Sequence, residues 1–145
     1  MRLGAVLAMV ACGACGGCGS SASARPAYVA AANAICTVQL AQLNKLSQPT
    51  TAGQAIVYLP RAIAIMRRET DQLATLDSVG PKRAEFAAAL ASTRRLADVL
   101  GSFLHQLRSG VVELVAYTQV QTDSRALTAE INAHFRQAGL TRCVA

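Results

Sequence analysis

Apolar residues recur at steps of three and four along four consecutive stretches of this chain, each closed by glycine, proline or a polar turn, and that periodicity restricts it to helices. A half-buried strand needs alternation at every second position instead. Composition points the same way: 29 of the 145 residues are alanine, 52% are hydrophobic and 4% aromatic, with no Trp. Alanine is the strongest helix former and a poor strand filler. Only 15% of residues are charged, so the chain is too apolar for a disordered tail. Its length supports one domain.

The first segment opens after Arg25-Pro26, with proline tolerated in a first helical turn, and runs over about 26–46, before Ser47-Gln48-Pro49-Thr50. Val29, Ala32, Cys36, Leu40 and Leu43 form its inward stripe. The second covers about 52–77 with Ile56, Leu59, Ile63, Met66, Thr70 and Leu73 inward. Pro60 interrupts it and predicts a kink, or a short first turn ending at Leu59, because proline removes one helical hydrogen bond and crowds the preceding turn. After Gly80-Pro81 the third segment carries Phe86, Leu90, Thr93, Ala97, Leu100, Leu104 and Leu107, and Arg108-Ser109-Gly110 ends it. The fourth has Val112 and Val115 early and Leu127, Ile131 and Phe135 late, around a polar stretch at 118–124 where Thr122-Asp123 offers an alternative helix start. Gly139 is the expected left-handed cap. Short connections between four such helices predict an all-α, up-down-up-down four-helix bundle over residues 26–145.

The first residues have a different design. Met1-Arg2 supplies a positive charge, and Leu3 to Ala11 is an unbroken run of apolar or small residues, the layout of an export signal. A run of nine residues is too short to cross a bilayer as a helix, which takes about twenty. Met9-Val10-Ala11-Cys12 resembles the lipobox of bacterial lipoproteins, and the weaker Cys15-Gly16-Gly17-Cys18 is similar to it. The resemblance implies a diacylglycerol on Cys12, or alternatively on Cys18, with a signal peptide of residues 1–11 or 1–17. Residues 12–25 are then a Gly/Ser/Ala tether. The spacing Cys12-x-x-Cys15-x-x-Cys18 also occurs in metal sites, but the fourth ligand and the structured flanks of such sites are not evident in the sequence.

Cysteine parity follows from that reading. With one of the five cysteines acylated, an even number remains, and export places the chain where disulfides persist. Cys36 and Cys143 are the expected pair; two buried free thiols are the alternative. Tyr28-x-x-Ala31-Ala32-Asn33-Ala34-Ile35-Cys36 and Ala138-Gly139-Leu140-x-x-Cys143, with Leu59-Pro60 and Arg67-Arg68-Glu69 between them, further resemble a set of uncharacterised secreted or lipid-anchored helical domains of high-GC Gram-positive bacteria. The resemblance covers residues 28–143 and implies a disulfide and no assigned activity. It departs from that set where paired prolines are usual and Gly80-Pro81 stands here.

Reactive constellations are sparse. No Ser-His-Asp ordering, nucleophile elbow, phosphate loop or dinucleotide fingerprint is present, so the chain reads as a non-enzyme needing no cofactor. His105 and His134 are its only histidines; with Glu113 and Glu130 they form the one metal- or cofactor-binding alternative, though the paired Glu-x-x-His pattern of di-iron bundles is missing. Arg67 and Asp71 have the spacing of a surface ion pair. The formal charge of +6 falls to +5 once Arg2 leaves with the signal, and the basic doublets Arg67-Arg68, Lys82-Arg83 and Arg94-Arg95 lack the interleaved aromatics of nucleic-acid binders. The expectation is a lipid-anchored, extracytoplasmic, non-catalytic binding or structural module at the cell membrane, or a secreted one. Its expected partners are the membrane through its anchor, an envelope protein, a small apolar ligand, or an anionic lipid or wall polymer.

Overall fold

The computed structural model describes residues 27–76, 82–110 and 114–144. The expected signal and tether, with Cys12, Cys15 and Cys18, the Gly80-Pro81 junction, Val112 and Glu113 lie outside the described residues. Four helices follow one another: α1 (Ala27–Asn44), α2 (Ala52–Ala74), α3 (Arg83–Ser109) and α4 (Leu114–Ala138), then a 3-10 turn at Thr141–Cys143. They pack antiparallel in chain order as the expected all-α four-helix bundle, and the described residues contain no strand.

Local chemistry sets the helix ends. Thr51 caps α2 by accepting the Gln54 N–H at 3.2 Å, while the Gln54 side chain reaches back to accept the Thr50 N–H at 2.8 Å, a reciprocal arrangement close to a capping box. Gly110 ends α3 at φ 74°, and Gly139 ends α4 at φ 81°, where a side chain would be strained. At the latter the Gly139 N–H donates to the Arg136 carbonyl at 2.9 Å and the Leu140 N–H to the Phe135 carbonyl at 2.8 Å. These are the two bonds of a Schellman motif. They turn the chain so that Leu140, 0% exposed, enters the core and the tail doubles back over α1. The Arg142 N–H then donates to Asn33 Oδ1 at 3.0 Å, and Cys36 and Cys143 are bonded with their Cα atoms 4.9 Å apart.

Three expectations need correction. α2 runs through Pro60 without a break, so no first turn ends at Leu59; Leu59, Ala62 and Ile63 are buried on either side of the proline, and that packing holds a helix missing one hydrogen bond. α4 is continuous across Thr122-Asp123. Val115 is 74% exposed, and Leu40 and Leu43 are only half-buried while Gln39 is 2% exposed; Gln39 is drawn inward by its side-chain bond to Gln72 of α2, Nε2 to Oε1 3.1 Å.

The core is divided. One cluster joins Val29, Ala32 and Cys36 of α1, Leu73 of α2, Phe86, Ala89 and Leu90 of α3, Ile131 and Phe135 of α4, and Leu140 and Cys143 of the tail. The other contains Leu59, Ile63, Ala97, Phe103, Leu104 and Leu107, with half-buried Val120 of α4 packed against it and no described residue of α1.

Helix register explains this division. Gln39 meets Gln72, and Arg68 Nη1 donates to Gln42 at 3.5 Å, so the last residue of α1 is level with a point about two thirds of the way along α2. That level lies about 22 Å from Ala52 at 1.5 Å per residue. Lys45 and Leu46 close one more turn, their N–H groups donating to the Gln42 and Leu43 carbonyls at 3.3 and 3.0 Å, and residues 47–51 span the remaining distance to α2. Among the described residues, one end of the bundle therefore has four helices and the other has three with residues 47–51 of the connection beside them. α1 and α4 nowhere approach within 8 Å between Cα atoms among the described residues; the 3-10 turn packs against both.

Candidate functional site

His134 lies on α4 with its Nδ1 2.9 Å from Glu85 Oε2 at the start of α3. Glu130, one turn earlier, accepts from Ser92 Oγ at 2.6 Å and from Arg95 Nη1 at 3.4 Å. Both acidic groups are thus engaged in holding α3 to α4. His105 is exposed near the other end of α3, twenty residues beyond Glu85, which is about 30 Å along a helix. Of the alternative set His105, His134, Glu113 and Glu130, the two imidazoles stand at opposite ends of the bundle and cannot share one ion through metal–nitrogen bonds near 2 Å, while Glu113 lies outside the described residues. Among the described residues no group of three or more His, Cys, Asp or Glu is placed to hold a metal ion. Arg67 also departs from expectation: its Nη2 pairs with Asp98 Oδ1 of α3 at 3.4 Å, not with Asp71.

A concave site exists where the fourth helix is missing. Between α2, α3, α4 and residues 48–51 of the connection lies a groove of about 780 Å3. Ala55 and Leu59 of α2, Leu100, Phe103 and Leu107 of α3, and Tyr117 and Val120 of α4 line it. Phe103 and Tyr117 meet with ring centroids 6.1 Å apart. Arg125 is the only charged side chain among the described residues of its wall and has no ion-pair partner among them. Ser124, in the same wall, has a buried hydroxyl oxygen without a hydrogen-bond partner. A second groove of about 420 Å3 adjoins it, sharing Gln48 and Tyr58, and carries Lys45 and Arg61. Gln48 Nε2 donates to the Tyr58 hydroxyl at 3.5 Å between the two.

The sequence did not point to this groove. Its apolar residues belong to the same three-four stripes as the core, and the vacancy arises from the offset of α1 against α2.

Glu69 is a separate feature. It shares a face of α2 with Gln72, toward α1, and burial pushes its carboxyl from 4.5 up to about 7. It has no hydrogen-bond or ion-pair partner among the described residues. Nearby, the Oε1 of Gln39 is buried and also unpartnered.

No family model matches the chain, and no curated protein or solved structure matches it. Function must be argued from the groove and the bonded cysteines.

Proposed function

We propose that this chain is a lipid-anchored module of the bacterial cell envelope that binds an apolar ligand without transforming it. The observation that carries this reading is the groove at the three-helix end: its volume of about 780 Å3 falls within the range of small-molecule sites, and its walls are apolar with a few polar groups at the edge. The bonded pair Cys36 and Cys143 fits a compartment where thiols oxidise. α1 begins at the disulfide end, and the groove lies at the other end of the bundle. No described helix is long and apolar enough to cross a membrane.

Titration with the neutral fluorescent probe N-phenyl-1-naphthylamine tests the binding site. A saturable signal is expected from the wild type and not from Gln121→Trp, where an exposed helical residue of the groove wall is enlarged to fill it. No signal in the wild type, or an equal signal in the folded variant, ends this reading. Metabolic labelling with palmitate tests the anchor: the label is expected in the wild type and lost on Cys12→Ala, or on Cys18→Ala if the later site is used. Labelling that survives both substitutions excludes the two proposed anchor sites.

A further inference from the structure

We infer that the groove takes a single-chain amphiphile with an anionic headgroup, of the fatty-acid carboxylate class, its chain against Leu59, Leu100, Phe103 and Leu107 and its carboxylate at Arg125. This rests on the groove being a ligand site, as proposed above.

Shape selects the kind of occupant. Along α4 the wall runs from Tyr117 to Arg125, about 12 Å at 1.5 Å per residue. Walls from three helices, with the connection at Pro49 and Thr50 along one side, suit a narrow alkyl chain.

Charge selects the headgroup. Arg125 stands at the edge of an otherwise uncharged wall, and beyond Tyr58 the adjoining groove adds Lys45 and Arg61 with no carboxylate among its lining residues. A cation at the mouth of an apolar cavity favours a ligand that carries the opposite charge at one end. Tyr58 and Tyr117 add two hydroxyl-bearing side chains to the lining.

The test displaces N-phenyl-1-naphthylamine with dodecanoate, dodecanol and dodecyltrimethylammonium, all below their micellar concentrations. One dodecanoate per chain is expected, with the trimethylammonium compound the weakest competitor. Arg125→Gln should lower the ratio of dodecanoate to dodecanol affinity about tenfold, the size of one charge-assisted hydrogen bond, and Arg125→Lys should restore part of it. Arg136→Gln, an exposed cation at the opposite end of α4, should leave the ratio unchanged. If the probe binds but the ratio is the same in wild type and Arg125→Gln, the headgroup assignment is wrong while the groove remains a ligand site. If the probe does not bind the wild type, both fail.

Discussion

The two ends of this bundle are built from the same alanine- and leucine-rich helices yet are packed differently. At the disulfide end, Ala32, Cys36, Ala89 and Leu140 are all 0% exposed, with four helices and the 3-10 turn converging on them. At the groove end the least exposed core residue is Ala97 at 2%, and its five larger neighbours stand at 6–8%. The covalent staple is at the end that is already better filled. The two halves are thus filled to different degrees.

The largest effect should come from cutting the staple. A bond closing a loop of about 100 residues contributes ~4.7 kcal/mol in the chain-entropy model, and Cys36 and Cys143 are 107 positions apart. Cys36→Ser and Cys143→Ser should lower the melting temperature equally, by ~15 °C or more, with the double variant no worse than either single one. Additive losses in calorimetry would mean that the two cysteines stabilise the fold separately.

A pair of truncations then compares the ends directly. Leu73→Ala, in the four-helix core, should cost ~4 kcal/mol, and Leu107→Ala, beside the groove, ~2 kcal/mol, because a wall next to open space leaves a smaller enclosed cavity. Urea unfolding measures both. Equal costs would erase the contrast in packing.

Glu69 stands where α1 begins to cover α2, and its effect depends on pH. Its folded-state pKa of about 7 lies above the 4.5 of the free side chain, so the folded chain keeps a proton that the unfolded chain releases. The stability this contributes is fully present below pH 4.5 and is withdrawn as pH rises to about 7. Glu69→Gln, which stays neutral, should raise the melting temperature at pH 8 by ~5 °C and change little at pH 4. A gain of the same size at both pH values would assign the effect to something other than ionisation.

The smallest effect is expected at Arg67 and Asp98, whose side chains are 59% and 74% exposed. A double-mutant cycle should return a coupling of about 0.5 kcal/mol or less, falling further with added salt.

Much of the fold was legible before any coordinates. The three-four spacing of Leu59, Ile63, Thr70 and Leu73, and of Phe86, Leu90, Thr93 and Ala97, specified buried helix faces because side chains at those steps stack on one side of a helix. Gly110 and Gly139 marked helix ends because a left-handed residue is needed there. The bond between Cys36 and Cys143 was anticipated from cysteine parity together with the likeness to exported lipoproteins. Of the two outcomes expected at Pro60, an early helix end at Leu59 does not occur, since local propensity cannot weigh the packing on either side. Gln39 was missed because its burial depends on Gln72, thirty-three positions away.

By itself, then, the sequence determined where the helices lie, which faces they bury and how two of them end, all consequences of interactions within a few residues along the chain. The tertiary structure decided what no local pattern encodes: that α1 stops well short of the start of α2, that His105 and His134 stand at opposite ends, and that a groove lined by Arg125 opens where α1 no longer covers the other helices. Those features come from the relative sliding of whole helices, and sliding is set by the sum of contacts between elements distant in sequence.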